Sequence, residues 1–213
     1  MATDHIRDRI APWLERWSIP HTEPLDPWLQ HMSTADYAAD DFLVHAGDLS
    51  DTLFLLESGL VRLFYTDPDG RERNKGFFRA GQVTGPVSAA ISGTEAPFSI
   101  QCLEPASAIR FRFRDLVKVT ESSPAVARLY RDLLADAFIR NEQREAMLLT
   151  GNAEQRYRWL LEQEGDLAER VAQFTRAHHL DDRGPAAVHL PVHRAAEDGA
   201  HVFQLVNHNA ISA

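Results

Sequence analysis

Apolar positions change their spacing along the chain, and each change marks an expected element. Ile6, Ile10, Trp13, Leu14 and Trp17 recur at helical intervals, which predicts an amphipathic helix over residues 5–18, stopped by Pro20. Pro24 and Pro27 predict an irregular stretch after it, because a proline pushes the residue before it out of the α region. From Asp41 to Phe113 the period shortens to that of strands. Phe42–His45, Leu53–Glu57, Leu60–Thr66, Arg71–Phe78, Phe98–Leu103 and Ala108–Phe113 are short runs broken by Gly and Pro. Asp67-Pro-Asp-Gly70 between two of them is a turn signal, with Pro presetting φ and Gly accepting a positive one. Short strands at this spacing predict an antiparallel sandwich or barrel.

Helical spacing returns at Pro124. Val126, Leu129, Tyr130, Leu133, Leu134, Ala137 and Phe138 form a stripe, and no Gly or Pro interrupts the chain before Leu149. At about 1.5 Å per residue such a helix approaches ~40 Å in length. Its stripe offers more apolar surface than one small β-domain covers, so two readings stand. Either it packs within the monomer, or it pairs across a homodimer through Leu129, Leu133, Ala137 and Phe138. Thr150-Gly151-Asn152 ends the helix, and Asn152 with Gln155 has the form of a capping box for the next. No internal repeat is present.

Composition narrows the function classes. A chain of 213 residues, 44% hydrophobic and 25% charged, fits one large or two small globular domains. It has no apolar run of about 18 residues, so no membrane partner is expected. The first residues lack the apolar core of a signal peptide. One cysteine, Cys102, excludes an intrachain disulfide framework and argues against a zinc site or an iron–sulfur cluster. A reducing, cytoplasmic setting is therefore expected, without a cofactor. In a predicted strand, Cys102 reads as a buried, inert thiol. The ten histidines match no standard metal spacing. Neither a nucleophile elbow nor a P-loop, His-Glu-x-x-His or dinucleotide-binding motif is present, so no enzyme is expected. The formal charge of −9 means that any DNA contact must come from a locally basic segment.

The glycines sharpen the fold. Gly47, Gly59, Gly81 and Gly85 close the short strands, and Leu53-Phe-Leu-Leu-Glu-Ser-Gly-Leu-Val-Arg-Leu63 is a strand–Gly–strand unit. With the long helix after them, and Tyr157-Arg-Trp-Leu-Leu161 beyond it, these residues resemble the Crp/Fnr family of transcription regulators from about Asp41 to Leu161. The resemblance implies an α+β fold: a cyclic-nucleotide-binding-like antiparallel β-roll (jelly roll), a long dimerisation helix and a C-terminal helix-turn-helix. On this reading residues 1–38 are a helical lead-in, 39–122 the β-roll, 123–150 the dimerisation helix and 151–213 a degenerate winged-helix or helix-turn-helix-like region. The function implied is a DNA-binding regulator with an effector-sensing roll. A dimeric sensor or interaction module that has lost DNA binding is the alternative.

The resemblance also implies where an effector would sit. In cyclic-nucleotide binders of this fold a short helix and its preceding loop hold the phosphate, a Glu after the first Gly holds the ribose, and an Arg about ten residues on pairs the phosphate charge. Here the cassette reads Gly85-Pro-Val-Ser-Ala-Ala-Ile-Ser-Gly-Thr-Glu-Ala-Pro-Phe-Ser99. Pro86 stands for the Glu, Ala96-Pro97 for the Arg and its neighbour, and nothing nearby replaces the Arg. A charge-assisted contact of about 1.5–3 kcal/mol is missing, which argues against cyclic AMP. Two expectations remain. Gly85, Pro86, Val87, Ser88 and Ser99 line a pocket for an unknown small apolar or neutral effector, or the pocket is filled by its own side chains.

The likeness weakens in the last segment. Arg170-Val-Ala-Gln-Phe-Thr-Arg-Ala-His-His-Leu180 looks like the first helix of the family's DNA-binding motif, with Gln173, Thr175 and Arg176 as candidate DNA contacts. Asp181 replaces the turn glycine, and Gly184-Pro185 and Pro191 interrupt the stretch where a recognition helix would stand. An interior proline costs a helix about 3 kcal/mol. From Asn152 on there are six Arg and no Lys against nine Asp or Glu, the wrong balance for a phosphate-binding face. Three accounts stay open: a diverged but working motif, a degenerate tail, or a reading-frame shift near residues 176–181. The gene's nucleotide sequence tests the last.

Overall fold

The computed structural model describes residues 2–20 and 22–152 together with 154, 155, 158, 159, 167 and 170. The chain divides into two compact units, 1–140 and 141–213. In the first unit, the N-terminal stripe folds as α1 (Ala2–Arg16) and is followed by α2 (Asp26–Leu29). The stretch expected to be irregular thus contains a helical turn. Pro27 stands at its start, where a missing N–H and a φ preset near −65° suit a helix rather than break it.

Eight strands follow in two four-stranded sheets: β1 (Ser33–Tyr37), β2 (Phe42–Val44), β3 (Thr52–Ser58), β4 (Leu60–Thr66), β5 (Glu72–Arg79), β6 (Val83–Thr84), β7 (Ser99–Cys102) and β8 (Ala106–Arg112). One sheet has the order β1-β8-β3-β6, the other β2-β7-β4-β5. All pairings are antiparallel. α3 (Val87–Ser92) lies between β6 and β7, and α4 (Phe113–Thr120) and α5 (Pro124–Thr150) come after β8. This is the expected α+β β-roll with a long helix behind it.

Alternation along the strands divides the core in two. Phe54 and Leu56 point into the roll with Val44, Val61, Leu63, Phe98, Ile100, Cys102, Ala106 and Ala108. Leu53 and Leu55 point the other way. With Ile109 and Phe111 they form the floor on which α1, α2, α4 and the start of α5 pack, through Ile10, Leu14, Trp28, Leu116, Val126 and Leu129 among others. β3 is therefore apolar on both faces, which is why its sequence reads as an unbroken run. Arg9 of α1 bonds Glu57 of β3 through two nitrogens of its fork and ties the helical layer to the roll. Gly47, Gly59, Gly81 and Gly85 all take positive φ.

At the second unit's start, the expected capping box is present. The Asn152 side-chain oxygen accepts from the Gln155 N–H at 2.9 Å, and the Gln155 side chain accepts from the Asn152 N–H at 2.9 Å.

Candidate functional site

The cassette after β6 is where the fold gathers its candidate residues. Gly85 has φ +151 and lies so close to β3 that an added Cβ would stand 2.6 Å from Leu53 Cδ2 and 2.9 Å from the Thr52 carbonyl oxygen. Pro86 is buried and starts α3 without a side-chain cap. Ala96 is 2% exposed; its N–H donates to the Asp48 carbonyl and its own carbonyl accepts from Gly47, each at 2.8 Å. The Arg position is thus a small residue sealed into the β2–β3 connection.

Of the five expected pocket residues, Val87, Ser88 and Ser99 stand in three different surroundings. Val87 packs on the helical-side core, because α3 turns its apolar face toward α4 rather than into the roll. Ser88 is exposed. Ser99 alternates with inward-facing Phe98 and Ile100, so it faces away from the interior, and its Oγ accepts from the Ala46 N–H at 3.0 Å.

The residue that sequence reasoning missed is Lys75. In the β4–β5 ladder Leu63 opposes Gly76 while Phe64 opposes Asn74, so Lys75 is the extra residue of a β-bulge, a device that re-aims a side chain. Its ammonium lies 4.9 Å from the ring centre of Phe98 and 6.0 Å from that of Tyr65. The two rings meet edge to face at 5.9 Å. Phe98 follows Ala96-Pro97 directly, so a cation from β5 stands at the cassette end that lacks its Arg. The signal was present in the hairpin: β5 carries one more residue than β4, and a ladder with one residue to spare needs a bulge.

Thr84 stands at the other end of the cassette. It opposes Phe54 in the β3–β6 ladder, so its side chain shares the inward face. It is 3% exposed, and its hydroxyl oxygen has no hydrogen-bond partner among the described residues. A buried hydroxyl left so costs about 1–3 kcal/mol.

Cys102 is fully buried, and burial, with the nearby Asp41 carboxylate adding to it, pushes its thiol up to about 12. Folded protein is expected to react with an aromatic disulfide reagent at pH 8 only as fast as it opens, whereas denatured protein titrates one thiol at once. Because the folded pKa lies above the unfolded one of about 8.5, the thiol's contribution to stability is complete below that pH and is lost as pH rises from about 9 toward 12. Denaturant melts of a Cys102→Ala variant should lack that decline; a folded thiol that reacts within seconds would contradict the burial.

Of the expected dimer face, Leu129 is 1% exposed within the chain's own core, and Leu133 packs partly against that core. This moves the available face further along the helix. Phe138 and Ile139 are 63% and 51% exposed, and Ala137 between them and the core is half-buried. Gln173, Thr175 and Arg176 lie outside the described residues. Among the described residues no cluster of potential metal ligands occurs, and no helix is long and apolar enough to cross a membrane.

Comparison with known proteins agrees with this geometry. Residues 34–123 match the cyclic nucleotide-binding domain. Over 66 residues, 31% of each chain, the protein is 35% identical to the cAMP-activated global transcriptional regulator Vfr of Pseudomonas aeruginosa. Over 104 residues it is 26% identical to the cAMP-activated global transcriptional regulator CRP of Salmonella typhimurium, a match covering 47% of this chain and 50% of that one. The alignments thus span half or less of these relatives. The sensor domain of the transcriptional regulator DNR from Pseudomonas aeruginosa superposes with a TM-score of 0.54 at 15% identity, covering 70% of this chain and 97% of that one. That likeness is one of fold. The family's domain thus begins within β1 and ends just before α5.

Proposed function

We propose that the protein is a Crp/Fnr-type transcription regulator: a β-roll that senses a small molecule other than cyclic AMP, a homodimer formed through α5, and a C-terminal segment that reads DNA. The observation that carries this reading is the course of α5. Its first turns, with Val126 and Leu129, belong to the roll's own core. Further on, the same continuous helix turns Phe138 and Ile139 to solvent. A helix rooted in a sensor and apolar beyond it is suited to join two sensors and to transmit a shift between them. The resemblance of the roll to those of two cAMP-activated regulators supports the same assignment. In such a device effector and DNA favour the same dimer arrangement, so each raises affinity for the other.

The alternative, a dimeric sensor module without DNA binding, draws on one observation: the acidic balance of the chain from residue 152 on. Selection of bound sequences from a random double-stranded DNA pool separates the two. A regulator is expected to enrich a palindrome matched to its two-fold axis, with affinity falling steeply as salt rises. No enrichment by a well-folded dimer would leave the sensor module.

A further inference from the structure

Arg110-Phe-Arg-Phe-Arg114 runs from the end of β8 into α4. Phe111 and Phe113 pack into the helical-side core, so alternation leaves Arg112 and Arg114 exposed on the surface. Lys118 follows Arg114 by one helical turn and shares its side of α4. His31 ends the turn after α2, where its N–H donates to the Trp28 carbonyl at 3.0 Å. His31, Arg112, Arg114, Asp115 and Lys118 line one cleft of about 360 Å³, within the first unit and apart from the cassette after β6. We propose that this cleft is a second ligand site, one that holds the phosphoryl group of a small phosphate monoester. It is independent of what the roll senses.

Each charge counts only together with its partner. Arg114 is held by Asp51 at 2.9 Å, so its charge is compensated within the chain. Lys118 stands 4.0 Å from Asp115 with its side chain 74% exposed, a loose pair that is worth little in water and opens readily. Among the described residues, the Arg112 guanidinium and the His31 imidazole have no ion pair or side-chain hydrogen bond. An exposed guanidinium without a partner is ordinary by itself. This one lies in a concave site beside an imidazole and a loosely held ammonium, on a chain of formal charge −9.

The donors select the anion. Arg112 offers a planar fork that takes two oxygens of one group. His31 and Lys118 reach the cleft from two other places, the turn after α2 and the second turn of α4. The fork alone satisfies both oxygens of a carboxylate. A phosphoryl group has three terminal oxygens, so one remains for the imidazole and the ammonium. Its second negative charge is met when Lys118 turns to it from Asp115. Asp115 lies in the first turn of α4, where the positive end of the helix offsets the carboxylate left behind. A cleft of this size is at the small end of ligand sites and leaves room for a short body beyond the phosphate. Leu116 and Val119 of α4 share a core with Val126 and Leu129 of α5, so a ligand that draws on the first turn of α4 loads the packing that roots α5.

The test titrates the full chain with three probes in ~0.15 M salt, where long-range attraction is screened. They are glycerol 3-phosphate, glycerate, which carries a carboxylate on a similar body, and tetraglutamate. Amide shifts of His31, Arg114 and Lys118 locate the probe and give its dissociation constant. Glycerol 3-phosphate is expected to shift all three amides and to bind about fivefold tighter or more than the other two. Arg112→Gln should weaken it about tenfold or more, the scale of one charge-assisted hydrogen-bonded contact. Arg112→Lys should restore only part of that loss, because an ammonium has no fork. Arg71→Gln removes an equal charge from the exposed β4–β5 turn and should leave the affinity unchanged. His31→Gln gives a second reading of the cleft, with a loss of about threefold expected. Glycerate binding as tightly as the phosphate overturns the phosphoryl assignment. Tetraglutamate binding tighter at the same amides makes the cleft a docking surface for an acidic segment and overturns the small ligand. Equal losses in Arg112→Gln and Arg71→Gln mean attraction by net charge alone and overturn the site, as does the absence of any shift with all three probes. The sensing role of the roll survives each of these failures, since none of its residues takes part.

Discussion

Gly59→Ala is expected to destabilise the fold by about 2–5 kcal/mol, far more than one methyl group normally does. Two costs combine. Gly59 has φ +88, and an L-residue held in the left-handed region costs roughly 1–2 kcal/mol. The added Cβ would also stand 2.5 Å from Ala106 Cβ, 2.7 Å from Ala106 Cα and 2.8 Å from the Pro105 carbonyl oxygen. Two of those three atoms are backbone and cannot turn away, and overpacking of that kind costs about 1–3 kcal/mol more. Gly47 is the control. It has φ +93 but nothing within 4 Å of the added atom, so Gly47→Ala carries only the first cost. Urea denaturation of the two variants should differ by about 1–3 kcal/mol. Equal losses would mean that the β3–β4 turn is free to move away from the strand it lies on.

That contrast bears on how much of the molecule the sequence makes legible. The glycine spacing announced the turns, since only glycine takes these conformations cheaply, but not which turn is crowded. Contacts with Pro105 and Ala106 come from far along the chain. β3 to β5 were readable because strand alternation and turn residues agree there. β1 was not, because Ser33–Tyr37 is mostly exposed and has no apolar alternation to show; β8 alone pairs it. β6, two residues long, is too short to carry a period at all. α4 was hidden by its neighbour. Arg110-Phe-Arg-Phe-Arg114 alternates like a strand straight through the point where the helix begins, and the Phe113 N–H still donates to Asp51 at 2.8 Å. Within the site, the loss of the Glu and Arg positions was legible because it is a local substitution. Lys75 was not, because a bulge is a relation between two strands. The burial of Leu129 was missed for the same reason: a helical stripe shows which side is apolar, not which part of it the chain's own sheet covers.

The dimer is where that last distinction has the largest consequence. If α5 joins two copies, the double variant Phe138→Asp, Ile139→Asp should convert the dimer to monomer while far-UV dichroism stays unchanged. Both side chains are more than half exposed, so the substitutions place charge in water in the monomer and in an apolar seam in the dimer. Each large apolar contact at the centre of an interface is worth about 2 kcal/mol. Two-fold symmetry presents every substitution twice, so the dissociation constant should rise at least ~1,000-fold. Sedimentation velocity at micromolar concentration reads this directly. Leu129→Asp is the opposite case. Leu129 is 1% exposed and lies among the helical-side core residues, and a carboxylate there has no partner to offset its desolvation, so that variant should lose its fold rather than its partner. Leu133→Asp falls between, because Leu133 packs partly on the same core. A double variant that remains dimeric would place the seam on another face of the molecule, and the path from roll to C-terminal segment would then not run through α5.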